Sequence, residues 1–409
     1  MKPEAVVLVR EQHKLSRRAI DDDALKVLYR LHNHGFKAYL VGGAVRDLLL
    51  GRRPKDFDVV TDARPGEIKK LFKNAFLIGR RFRLAHIRFR GGKIIEVATF
   101  RREADEDGSG DIHNTFGTAV EDAFRRDITI NALFYDIATF SIIDYVGGLH
   151  DLSQGVVRVI GDPSTRFRED PIRILRVLRH AARLNFSIQD ATAQAVYPAK
   201  EMIATCSGAR IYEEFSKDMN SGYLMPVVAL MDLYGVLPHI FGAIGTFMAH
   251  NPGSMVNIMD CLALIDRCVL EGRAFRPENI LALLFFPWAE NILHVAPERG
   301  DRGKIIHDAF MVSGVQATIP KTVRTNCIQI LIIIAAMQTA MRTGRFPWSL
   351  KKRAFYKDSA WMFALLFNRD LLQEEDPFTV AFSQKHPQTT RPKRRRRRSA
   401  RGAKKRPSP

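Results

Sequence analysis

Two aspartates one residue apart, Asp56 and Asp58, stand in the run Pro54-Lys-Asp-Phe-Asp-Val-Val60. Side chains alternate across a strand, so an extended segment here aims both carboxylates to one side of a sheet. Such a pair can hold two divalent metal ions. Thirteen residues before Asp56 lies Gly43, in Tyr39-Leu-Val-Gly-Gly-Ala-Val-Arg-Asp-Leu-Leu-Leu-Gly51, where an apolar run breaks at Gly42-Gly43 and resumes with a helical period carrying Arg46. Free backbone N–H groups and a guanidinium at one helix N-terminus make a cradle for phosphate. A Gly-Gly pair alone merely lets the backbone bend, and two aspartates near a strand end are commonly solvated. Together, in this order and at this spacing, they point to nucleotidyl transfer.

Other polar groups fall where a sheet would gather them. Leu84 to Arg90 and Ile94 to Phe100 read as a hairpin joined by Gly91-Gly92-Lys93. On its second arm Ile95, Val97 and Thr99 face one way while Glu96, Ala98 and Phe100 face the other. A carboxylate among apolar neighbours is costly to bury unless paired or bound to metal, so Glu96 is either a third metal ligand or a glutamate facing water from an edge strand. The segment Glu121 to Asn131 brings Arg125, Arg126, Asp127 and Asn131 to the start of a strand-like run, Ala132 to Ile137. These groups suit ribose, triphosphate or metal, and equally a helix end tied down by salt bridges. In Glu169 to Arg183, Asp170 suits an N-cap and Pro171 the first helical position. Arg173, Arg176, Arg179 and Arg183 follow at steps of three, three and four and line one face, with Leu175, Leu178 and Ala182 on another. A basic stripe of this kind is either a solvated face or a reader of a base or of RNA phosphates.

The elements needed to hold these groups are legible in outline. A helical period from Ala24 to Leu31 leads to the first strand, Ala38 to Val41, and Ile68, Leu71 and Phe72 form a helix behind Pro65-Gly66. A further strand, Ser141 to Val146, ends at Gly147-Gly148. Helical periods dominate afterwards: 209–219, 225–234, 256–270, 280–286, 304–312, 323–341 and 360–372. The fold class is therefore α+β, an N-terminal head with a small mixed β-sheet followed by an all-α neck and body. The expected boundaries are an N-terminal extension at 1–22 with nothing to pack, the head at 23–155, the neck at 156–240, the body at 241–382 and a tail at 383–409.

A net charge of +19 over 409 residues indicates a polyanionic partner. More than half of it lies between Arg391 and Arg406, where eleven cations stand without one acidic residue. That tail, including Arg394, Arg395, Arg396, Arg397 and Arg398, has nothing apolar to bury and is expected to be disordered and to contact RNA. The four cysteines are widely spaced and form no CxxC pair, so neither a disulfide framework nor a zinc site is supported. No signal-peptide pattern follows Met1, and the most apolar run, Ile328 to Met337, is too short to cross a bilayer. A cytoplasmic protein without membrane contact is expected.

Five segments in order, Leu40-Val-Gly-Gly-Ala-Val-Arg-Asp47, Lys55-Asp-Phe-Asp58, Ile95-Glu-Val-Ala-Thr-Phe-Arg101, Arg125-Arg-Asp-Ile-Thr-Ile-Asn-Ala132 and Arg168-Glu-Asp-Pro-Ile-Arg-Ile-Leu-Arg176, resemble the class II nucleotidyltransferases. That family contains CCA-adding enzymes and bacterial poly(A) polymerases, and the resemblance covers residues 38 to 190. It departs at Ile128, where phenylalanine is usual, and in the short loop from Arg102 to Asp111. Gly79-Arg-Arg-Phe-Arg-Leu-Ala-His86 and the arginine-rich C-terminus are similar to the poly(A) polymerase branch. The resemblance implies that Gly42, Gly43 and Arg46 hold the triphosphate of ATP and that Asp56 and Asp58 hold two Mg2+ ions. Asp127 or Glu96 would complete the metal site, Arg126 and Asn131 would lie near ribose and phosphates, and Asp170 and Arg173 would meet the incoming base, with Arg176 and Arg179 alongside. The implied reaction is template-independent addition of AMP to RNA 3′ ends, with RNA-decay proteins as partners. Its rivals are CCA or A addition to tRNA and, from another class, a noncatalytic RNA-binding protein.

Overall fold

The alternation read between residues 38 and 60 forms the middle of an eight-stranded mixed sheet. The computed structural model describes residues 4–78, 84–102, 116–295 and 301–387. The strands are Val6–Leu8 (β1), Ala38–Val41 (β2), Asp58–Thr61 (β3), Ala75–Ile78 (β4), Leu84–Arg88 (β5), Ile94–Thr99 (β6), Leu133–Asp136 (β7) and Ile142–Asp144 (β8). Their order is β1-β8-β7-β2-β3-β6-β5-β4. All neighbours are antiparallel except β3 and β6, which run parallel.

One face of the sheet is sealed by the helix Asp22–Asn33 (α1), whose Ala24, Val27, Leu28 and Leu31 are buried against β2 and β3. Asp21 starts that helix by accepting the N–H groups of Asp23 and Ala24. The opposite face is part apolar and part open. Val41, Val60, Phe100, Ala123 and Phe134 form its core, and Asp58 and Glu96 extend the same rows toward the open end of the strands. Gly43–Leu49 (α2) follows β2 directly, Pro65–Leu71 (α3) follows β3 with Pro65 in its first turn, and Ala119–Arg125 (α4) and Gly148–Gln154 (α5) complete the head. Pro163–Glu169 (α6), Ile172–Leu184 (α7), Asp190–Ala199 (α8) and Gly208–Met219 (α9) then pack as a helical layer, α6 on α8 and α7 on α9.

The chain forms two compact units. The first contains everything above, to Ala249, together with Ile265–Arg273; the second is His250–Leu264 with Ala274 onward. In the second unit the helices Pro277–Val295, Arg302–Val312, Lys321–Thr343, Tyr356–Phe367 and Pro377–Lys385 pack on one another. The apolar run at Ile328 to Met337 is the middle of the 23-residue Lys321–Thr343, which by length and composition is enough to cross a membrane. Half of that stretch is buried inside its own unit, against Pro277–Val295 and Tyr356–Phe367, as in a core helix.

Three expectations change, and the head's mixed sheet gains two edge strands, β1 and β4, beyond those read from the sequence. The first 22 residues do pack: β1 pairs with β8 through Val6, Val7 and Leu8, and Leu15 and Ile20 are buried. The helix α7 begins at Ile172, so Pro171 is its cap residue, although the Asp170 carboxylate still accepts the Ile172 N–H at 3.3 Å. The final helix carries buried Phe378, Ala381 and Phe382 and runs on to Lys385, past the expected boundary at 383.

Candidate active site

Asp58 opens β3, with Val41 of β2 on one side and Glu96 of β6 on the other in register. Partners in register share a face, so Asp58 and Glu96 stand side by side on strands roughly 4.8 Å apart. Asp56 is exposed and lies outside the strand, two residues before its start. Glu96 is not on an edge: β6 is flanked by β3 and β5, and the Glu96 Oε1 lies 3.3 Å from His86 Nε2 on β5.

The turn after β2 closes over this carboxylate. Gly42 has φ +75° and ψ −140°, a backbone region that side chains disfavour. A Cβ there would stand 3.9 Å from Asp58 Oδ2 and 3.6 Å from Arg126 NH1, so the glycine also keeps the space between them clear. Arg126 is fixed by the buried Asp122, which accepts from its Nε at 3.1 Å and its NH2 at 2.9 Å. The result is a part-buried carboxylate facing a glycine turn, with one held cation beside it.

Burial raises the Asp58 carboxyl to about 6, Glu96 and Asp56 push the same way, and Arg126 opposes them. Arg126 does not cancel the rise, its guanidinium being shared with Asp122. Asp58 and Asp56 supply hard oxygen donors that suit Mg2+, which is held by one or two carboxylates plus substrate phosphates rather than by an all-protein cage. Among the described residues no group of three His, Cys, Asp or Glu side chains is placed to hold a metal.

A stability prediction follows from the same shift. The native state retains a proton that the unfolded chain, near 3.8, has released. Ionised Asp58 therefore costs stability, nothing below pH 4 and the full amount above pH 6, on the order of 3 kcal/mol at most. In metal-free buffer at pH 7.5, Asp58→Asn should resist urea better than the parent, with the gap closing toward pH 4. Equal midpoints at pH 7.5 would contradict the assignment.

Asp127 stands apart from this cluster. Its carboxylate receives Arg173 Nε at 3.2 Å and Arg176 NH1 at 2.7 Å, both from α7. Glu169 takes Arg173 NH1 at 2.8 Å, and Asp170 is paired with Arg210 NH2 at 2.9 Å. The structure thus sets Glu96 beside Asp58, and places Asp127 as the anchor of the two arginines expected to meet the base. Arg179 does not join them. Successive steps of three fall about 60° short of a full turn, and by Arg179 the side chain points into α9, where it is 5% exposed and bonded to Asp218 Oδ1, Glu214 Oε2 and the Glu214 carbonyl. Its assignment to the nucleotide is corrected to a structural ion pair.

Arg46 also differs from a free phosphate ligand. It is buried; its Nε donates to Asp47 Oδ1 at 2.8 Å and its NH1 to Asn131 Oδ1 at 2.6 Å, and the guanidinium lies under the Gly43 turn. Asn131 in turn meets His180 Nε2 at 3.2 Å. Sequence reasoning missed His180, whose only signal was a histidine embedded among arginines of α7. The segment Gly79 to Arg83, most of the 102–111 loop and Arg394 to Arg398 lie outside the described residues.

A Poly A polymerase head domain model matches residues 38–158, and a model described as the probable RNA and SrmB-binding site of polymerase A matches 185–246. Poly(A) polymerase I of Escherichia coli O6:H1 is 38% identical over 387 residues, covering 89% of this chain and 82% of that protein. The chain belongs to the poly(A) polymerase I family. Its chemistry is accordingly that of a nucleotidyltransferase, and the carboxylate, glycine turn and arginine pair above lie within or just beyond the matched head. A CCA-adding enzyme of Bacillus pumilus is also 38% identical, but over 220 residues, 53% of this chain and 54% of its own. Among solved structures, a tRNA nucleotidyltransferase complexed with a primer tRNA and an incoming ATP analogue superposes with TM-score 0.62 at 23% identity, covering 88% of this chain and 98% of that one. At that identity the likeness establishes the fold. Poly(A) polymerase I relatives therefore share sequence with the helical units as well as the head.

Proposed function

We propose that the chain adds AMP from ATP to RNA 3′ ends without a template, producing poly(A) tails that mark transcripts for decay. The observation that carries this reading is that identity to poly(A) polymerase I extends along 89% of the chain, whereas identity to the CCA-adding relative is confined to about half. In the reaction the RNA 3′-oxygen bonds to the α-phosphorus of ATP, the bond from that phosphorus to the bridging oxygen breaks, and pyrophosphate leaves. Asp56 and Asp58 would hold Mg2+, which when bound activates the 3′-hydroxyl and offsets charge on the departing pyrophosphate. The Gly42-Gly43 turn offers backbone N–H groups to the triphosphate, Arg126 adds positive charge next to Asp58, and Arg173 and Arg176, held by Asp127, present donors to the base.

Arg173 and Arg176, both paired with Asp127, are the donors that would select the base. On an unstructured RNA, single-nucleotide reactions should incorporate ATP far better than CTP, UTP or GTP; comparable use of CTP would defeat the reading. Lys14, Arg18, Arg52 and Arg53, with Asp21, Asp22 and Phe57, line a groove beside the start of α1, and these four cations would add positive charge for the RNA. Further charge comes from the tail. Deleting residues 391–409 should weaken RNA binding and flatten its salt dependence, since each phosphate neutralised on a single strand contributes about 0.7 to the slope of log K against log salt. An unchanged slope in a binding titration would show that the tail makes no contact with RNA. The decay proteins expected as partners have their natural candidate surface in the helical segment 185–246, where the polymerase binding-site model matches.

A further inference from the structure

His180 connects the helix that carries the base-contacting arginines to the turn that faces the triphosphate. It lies on α7, one turn beyond Arg176, and its ring meets two residues of the head: Nε2 is 3.2 Å from Asn131 Nδ2, and Nδ1 is 3.4 Å from Arg46 NH1. Arg46 has only donors, so the 2.6 Å contact from its NH1 fixes Asn131 Oδ1 as the acceptor. The amide nitrogen of Asn131 then faces His180. For that contact to be a hydrogen bond, Nε2 must carry a lone pair and the ring must be neutral, so the proton sits on Nδ1 and the 3.4 Å approach of Arg46 NH1 to Nδ1 is a contact of two donors, outside the relay. Its surroundings favour the neutral ring: burial pushes the His180 pKa well below the usual histidine value, and Arg46, Arg179, Arg176 and Arg183 add to the effect.

We propose that His180 is a positioning residue for the incoming nucleotide, holding Asn131 and through it Arg46 in a relay from α7 to the Gly42-Gly43 turn. Donation runs from Arg46 to Asn131 to His180. Each member fixes the rotamer of the one before it, and Arg46, lying 3.4 Å from where a Gly43 Cβ would stand, supports the turn from beneath. One helix thereby sets both ends of the nucleotide: Arg173 and Arg176 at the base, His180 through the relay at the phosphates. Because the relay acts on the triphosphate, the inference rests on the ATP-using reading above.

The discriminating variants are His180→Gln, whose side-chain amide reaches the position of Nε2, and His180→Asn, which is polar but too short. Steady-state extension of an unstructured RNA is measured at varied ATP and, separately, at varied RNA. The expected result is a KM for ATP raised about tenfold in His180→Asn, a value within about twofold of the parent in His180→Gln, and an unaltered KM for RNA in both. A double cycle with Asn131→Ala should be non-additive, His180→Asn adding little once the amide is gone. Equal ATP constants in the glutamine and asparagine variants, or full additivity with Asn131→Ala, would overturn the proposal. A parent protein that extends RNA with no preference for ATP would instead overturn the reading on which it rests.

Discussion

Asp58→Ala abolishes nucleotide transfer, with kcat falling by a thousandfold or more on the order of magnitude set by losing a preorganised charge-stabilising group, while RNA affinity stays within a few-fold. Asp56→Ala behaves alike. The two effects separate because the carboxylates would act on metal and the transferring phosphate, whereas RNA phosphates are met by cations, which Arg18, Arg52, Arg53 and the tail supply. Single-turnover extension and a filter-binding titration on the same preparations measure both quantities. Turnover retained in either variant would remove the carboxylate pair from the mechanism.

Arg179→Ala should be the most destabilising arginine substitution in α7. It strands Asp218, which is fully buried, and leaves Glu214 paired only to Lys217. Removing one partner of a buried ion pair costs about 3–5 kcal/mol, a large share of the stability of a typical domain. Urea unfolding of the purified variant measures the loss, and Arg179→Ala combined with Asp218→Asn should recover part of it. A variant that unfolds like the parent but binds ATP poorly would restore Arg179 to the nucleotide site. Arg176→Ala offers the contrast, since Arg176 is 41% exposed in its side chain and makes one ion pair.

The parts of this protein that were legible in its sequence are those specified by local chemistry. Gly42 is required by a positive φ at one turn, Asp58 and Glu96 are placed by alternation within their own strands, and the α7 arginines are placed by helical period. What was not legible depends on partners distant in the chain. β1 carries two exposed valines with no alternating pattern and exists because β8, well over a hundred residues later, offers it an edge. The split of the α7 stripe needed α9: nothing near Arg179 distinguishes it from Arg176 until Asp218 and Glu214 pack against it. Asp127 and Glu96 looked equivalent as metal ligands because their neighbours in sequence say nothing of the arginines that claim one or the strand that presents the other to Asp58. The two-residue offset of Asp56 from the start of β3 is a matter of where pairing with Val41 begins, which alternation alone leaves open.

The central claim is that this chain tails RNA with AMP and does not measure a tRNA end. The most direct test offers the full chain ATP and CTP together with Mg2+, on an unstructured RNA and on a tRNA lacking its CCA end, and reads product lengths. Long ladders of AMP on the unstructured RNA, with no fixed stopping point on either substrate, are the predicted result. Three discrete additions confined to the tRNA would contradict the account and assign the chain to CCA addition.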